Sequence, residues 1–165
     1  MGGAAFVSGR VFGLSPFWTG VALGAPSVGY ILGNYLSGRF SMRHGTLRMA
    51  AAGALVAMLG LGAGLAVTLA AGSDPRIFFG ACILLGLGNG MTLPNALAGA
   101  VSVQPDLAGT ASGLSGAIMT AGGAALSVLG GVVLGPGTGA WPLQALMTAA
   151  AGLSLLALLL VRAPR

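Results

Sequence analysis

The sequence predicts an all-α membrane protein whose chain crosses the bilayer five times. From Leu107 to Val161 it runs 55 residues without a charged side chain, after shorter charge-free runs over 11–38, 49–73 and 77–105. Charged residues make up 5% of the chain and hydrophobic residues 56%, where a soluble domain carries about 25% charged residues. A bilayer core needs about 20 apolar residues per helix. Each of the first three runs therefore fits one crossing. The last fits two, separated by Gly135-Pro136-Gly137-Thr138-Gly139. The runs are apolar on all faces, which excludes the alternating strands of a β-barrel and the polar composition of a disordered chain.

The elements follow in order. A first span covers about 17–37, with Ser15 as its N-cap, Pro16 in its first turn and Pro26 as a kink. The second covers about 47–71 and the third about 77–101, the latter containing Pro94. The fourth covers about 106–134 and is expected to be capped by Asp106, whose charge suits a helix N-terminus. The fifth covers about 141–161. Residues 1–14 are apolar but too short to cross, and read as the outer remnant of a preceding helix in a truncated chain.

Small residues let helix backbones approach closely in lipid, where packing replaces the hydrophobic drive. The 31 glycines supply many such positions. Gly20/Gly24, Gly29/Gly33, Gly60/Gly64, Gly86/Gly90, Gly109/Gly113 and Gly131/Gly135 all have the required spacing. They mark a tight bundle without saying which pairs meet.

All seven basic residues are arginines, and they sit at span ends. Arg39, Arg43, Arg48, Arg162 and Arg165 fall on one side; Arg10 and Arg76 fall on the other. By the positive-inside rule the first group is cytoplasmic, which puts the C-terminus inside. The net charge of +5 is thus a topology signal, and no nucleic-acid partner is expected. Trp18, Trp141, Phe17, Phe78 and Phe79 fall on the opposite side, where an aromatic belt would lie.

No catalytic residue, metal ligand set or cofactor is expected. Catalysis needs titratable groups in a pocket, and the only acids, Asp74 and Asp106, lie at span ends. Gly113-Leu114-Ser115-Gly116 has the form of a serine turn, but its chemistry needs a histidine base and no histidine follows His44. Cys82, the sole cysteine, reads as a small apolar filler. The notable polar groups inside spans are Asn34, Asn89 and Asn95. A buried amide in lipid faces the bundle interior or a cavity, so each is a candidate either for substrate contact or for an interhelical hydrogen bond. Gly86-Leu87-Gly88-Asn89-Gly90 and then Pro94-Asn95 make the third span the least regular, a feature of transporter helices that bend or contact substrate.

Two stretches carry a resemblance. Gly33-Asn34-Tyr35-Leu36-Ser37-Gly38-Arg39-Phe40-Ser41-Met42-Arg43-His44-Gly45-Thr46-Leu47-Arg48 resembles the cytoplasmic loop signature of the major facilitator superfamily in the second half of its fold. Gly33, Gly38, Arg39, Arg43, Gly45 and Arg48 are its motif positions. Pro94-Asn95-Ala96 followed by Leu107-Ala108-Gly109-Thr110-Ala111-Ser112-Gly113-Leu114-Ser115-Gly116 is similar to the Bcr/CflA-type drug resistance transporters.

The resemblance implies the C-terminal half of a major facilitator fold, with the five spans as helices eight to twelve. It also implies part of a drug/proton antiporter of a bacterial-type inner membrane, working by alternating access. Its partners would be the lipid bilayer, a missing N-terminal half and a small hydrophobic drug. Spans one and four would be the rocking helices that face the other half, the fourth through Gly109, Thr110, Ser112, Gly113 and Gly116, while Asn89 and Asn95 would line the cavity. The loop departs from the family pattern at Gly38, where an acid is usual, and no span carries the buried acid that proton coupling needs. Alone, the chain is expected not to couple transport to protons. The alternative is a non-transporting membrane subunit or remnant that only packs in the bilayer.

Overall fold

A computed structural model describes residues 2–134 and 139–161. The expected turn at 135–138 and the arginines Arg162 and Arg165 lie outside these residues. The described chain is all helical in its regular structure, with six helices. The first, α1 (Gly2–Phe6), is short and runs into a π-helical turn over Val7–Val11. The five long ones are α2 (Pro16–His44), α3 (Thr46–Ala71), α4 (Pro75–Ser102), α5 (Ala108–Val133) and α6 (Trp141–Leu160).

Helix ends follow local chemistry. Ser15 caps α2, its Oγ accepting from the Trp18 amide at 3.5 Å, with Pro16 in the first turn. α2 continues as helix through Pro26. Gly45 then takes a φ of +84°, which only glycine adopts without strain, and the chain reverses directly into α3. Gly72 ends α3 in the same manner at +90°. Asp74 caps α4: its carboxylate accepts from the Arg76 amide at 2.7 Å, and Pro75 follows it at the first helical position. Asp106 does not cap α5. It sits inside the 3₁₀ turn Pro105–Leu107, and α5 starts beyond it with no side-chain cap. The reason is position: Asp74 precedes a proline that opens a helix, whereas Asp106 follows one.

Among the described residues four segments are long and apolar enough to cross a membrane: α3, α4, α6, and α5 together with its preceding turn. α2 has the length, since 29 residues rise about 43 Å. Pro26, Tyr30, Asn34, Tyr35 and its glycines keep it below the apolarity of the other four.

α4 is the centre of the bundle. α2 packs on one of its faces and α3 on another, and α6 packs on α3. The α2–α4 crossing is built from glycine. A Cβ at Gly86 would strike the Pro26 carbonyl oxygen, and one at Gly29 the Ile83 carbonyl oxygen. Gly33 and Gly90 close the same contact one turn further on, against the Leu87 and Tyr30 carbonyl oxygens respectively. On the α3 side Gly53 meets Gly88, and Gly60 receives Leu84.

Two buried hydrogen bonds key these crossings. Thr92 Oγ1 donates to the Ala50 carbonyl of α3 at 3.1 Å, and Asn95 Nδ2 donates to Ser37 Oγ of α2 at 2.7 Å. α5 stands apart from this packing and is almost wholly exposed. A small core at one end joins Ala4 and Val7 to Phe78, Cys82, Leu134, Ala140 and Leu143. Phe78 is fully buried there and stacks edge-on with Phe12 and Phe79. It is therefore a core residue and not part of a lipid-facing belt, whereas Phe17, Trp18 and Trp141 are exposed.

Candidate functional site

Between α3, α4, α5 and α6 lies a half-open cavity of about 400 Å³, with Gly3 and Ala4 of α1 also in its wall. That volume is in the range of small-molecule pockets, ~300–1,000 Å³. α4 supplies Cys82, Leu85, Asn89 and Thr92; α3 supplies Ala54 and Ala57. α5 contributes Gly123, Leu126, Ser127 and Gly130, and α6 the stretch from Leu143 to Ser154. The lining is mainly apolar, and no charged side chain among the described residues reaches it. Its polar groups are the Asn89 amide, the hydroxyls of Thr92, Ser127 and Ser154, and the Cys82 thiol. Such a surface can enclose a largely apolar molecule and orient it by a few neutral hydrogen bonds. It offers no acid–base pair and no ionised nucleophile. Among the described residues no group of three or more metal-ligating side chains comes together.

The structure separates the three asparagines. Asn89, half-buried on α4, lines the cavity. Asn95, 4% exposed, is turned to α2 and donates to Ser37 Oγ and to the Met91 carbonyl, each at 2.7 Å. Ser37 Oγ in turn lies 3.3 Å from Ser41 Oγ, and Ser41 donates to the Ser37 carbonyl. Asn95 is thus the buried end of a polar chain along α2. Asn34 donates back to the Tyr30 carbonyl of its own helix at 2.9 Å and does not reach the cavity.

The loop motif is spread over three settings. Gly33 is buried at the α2–α4 crossing, Gly38 is open, and Gly45 makes the turn. Arg39 donates to the Tyr35 hydroxyl at 3.2 Å, while Arg43 and Arg48 are exposed. On α5, Gly109, Thr110, Ser112, Gly113 and Gly116 are all exposed, and a Cβ at any of these three glycines would meet nothing within 4 Å.

Sequence reasoning missed two groups. Ser127 and Ser154 escaped because a lone hydroxyl in an apolar helix is common. Gln144 was a legible signal: it is a single amide in an apolar helix. It is 1% exposed, and neither its Oε1 nor its Nε2 has a hydrogen-bond partner; nearby on α3, Thr68 Oγ1 is likewise buried and unpaired.

No curated protein and no solved structure matches the chain. The family model of the Major Facilitator Superfamily, a superfamily of secondary transporters and not of enzymes, matches residues 3–165. With apolar helices long enough to span a membrane around a neutral cavity, and that match over nearly its whole length, the chain belongs to the major facilitator superfamily.

Proposed function

We propose that this chain is the C-terminal half, helices eight to twelve, of a Bcr/CflA-type exporter that exchanges small hydrophobic drugs for protons across a bacterial-type inner membrane. α2 is then a fifth span, held in the bilayer by its glycine seam with α4, and the arginine-rich ends lie in the cytosol with the C-terminus. The observation that carries the reading is the uncharged 400 Å³ cavity with Asn89 in its wall, in a chain whose superfamily moves small molecules. The drug-transporter resemblance at 94–116 supports the cargo class. The open face of α5 fits rocking contact with a first half.

Because the acids occur only at 74 and 106, both at helix ends, the proton site belongs to that other half. A neutral lining favours neutral or diffuse-charge cargo over anions, since nothing in it compensates a compact charge.

Binding tests the reading. With the chain in nanodiscs and a neutral aromatic amide such as benzanilide as probe, Asn89→Ala should weaken affinity about threefold to tenfold, the worth of one hydrogen bond. Asn95→Ala should leave affinity unchanged and instead lower stability by about 1 kcal/mol, as loss of an interhelical bond does. No binding by the unsubstituted chain would favour the packing-only subunit. An affinity loss confined to Asn95→Ala would move the site to the α2–α4 seam.

A further inference from the structure

The reversal at Gly45 brings the last turn of α2 against the start of α3 and leaves a shallow crevice of about 360 Å³. Phe40, Met49 and Ala52 form its apolar floor, and His44 and Arg48 form its rim. His44 is held over that floor: its ring lies 6.2 Å from the Phe40 ring, and Nδ1 donates to the Phe40 carbonyl at 3.2 Å. The imidazole edge is thereby fixed at the rim. Arg48 stands in the first turn of α3, whose N-cap is Gly45 and provides no side-chain acceptor. The amides of that turn point outward beside a guanidinium, both of which favour an anion. Arg43 is exposed on the facing turn. No carboxylate occurs before Asp74, so neither of the two helices carries a counter-charge of its own.

We propose that this crevice seats an anionic phospholipid. The phosphate lies between Arg48 and the first turn of α3, with His44 at the rim, and the upper acyl chain runs over Phe40, Met49 and Ala52. A lipid is favoured over a free anion because the floor beneath Arg48 is apolar and continues onto the membrane-length surface of α3, where Leu55 and Leu59 are exposed. A soluble phosphate has no use for that surface. Basic pockets between membrane helices hold anionic headgroups by the same combination of charges and apolar walls.

The test is lipid retention by native mass spectrometry of the purified chain, comparing dioleoylphosphatidylglycerol with dioleoylphosphatidylcholine. Phosphatidylglycerol should be retained in preference. Arg48→Ala should cut its retention about fivefold, while Arg10→Ala, beyond the other end of α2, leaves it unchanged. Ala52→Trp keeps every charge and fills the floor at an exposed position; it too should cut retention. Equal retention of the two lipids would overturn the site, as would full retention in Arg48→Ala. Full retention in Ala52→Trp would reduce it to surface charge alone. Complete displacement by inorganic phosphate would reassign it to a soluble anion.

Discussion

Gly86→Leu is expected to unseat α2 from α4 and to cost the bundle about 3 kcal/mol or more, at the top of the range for overpacking. The obstructing atom explains the size. A new Cβ at Gly86 meets the Pro26 carbonyl oxygen, which is backbone and cannot swing aside as a side chain would. Relief requires the two helices to separate. Separation also undoes the seam at Gly29, Gly33 and Gly90 and stretches the 2.7 Å bond from Asn95 to Ser37. Gly24→Leu is the internal control. It lies on α2 with nothing within 4 Å of a built Cβ, so its effect should stay within about 0.5 kcal/mol. Thermal denaturation and size-exclusion profiles in detergent read both. Equal melting temperatures for the two variants would mean that α2 does not rest on α4 through glycine.

Gln144→Met is expected to stabilise the chain by about 1–3 kcal/mol, the cost of leaving a buried polar group unpaired. Gln144 projects toward α3, where its Nε2 would lie 3.4 Å from a Cβ at Gly64, and both amide atoms lack partners. Methionine keeps the unbranched length and removes the amide. The Thr148 hydroxyl bonds the main-chain carbonyl at 144 and is untouched by the change. A rise in melting temperature checks the prediction. A fall would show that the Gln144 amide holds a bound group between α3, α4 and α6.

Much of the architecture was readable from charge and apolarity, because lipid allows only helices or closed barrels to satisfy the backbone. The partners of each helix were less readable. Glycine spacing marks a face but not what faces it. Gly29/Gly33, Gly86/Gly90 and Gly60/Gly64 meet other helices, whereas Gly20/Gly24 and Gly109/Gly113 face open space. Gly53 and Gly88, which bring α3 onto α4, belong to no conspicuous pair.

The asparagines show what periodicity could have added. Asn89 and Asn95 are six residues apart, which sets them about 120° apart around a helix, on neighbouring faces and not the same one. The structure gives Asn89 to the cavity and Asn95 to α2. Phe78 and Phe79 are adjacent and point apart by about 100°. One is buried in the core and the other half-buried, a distinction that a count of aromatics per span end does not make.

In the proposed exporter α3 and α4 cross the bilayer in opposite directions with the arginine-rich turn in the cytosol. Single cysteines in a Cys82→Ala background measure this directly. Gly38→Cys lies just before the α2–α3 turn, Arg76→Cys at the start of α4 and Val103→Cys at its end; all three positions are exposed. With a membrane-impermeant maleimide on intact cells, Arg76→Cys should be labelled, and Gly38→Cys and Val103→Cys only after permeabilisation. Labelling of all three from the same side, or recovery of the chain in the aqueous fraction without detergent, would contradict it.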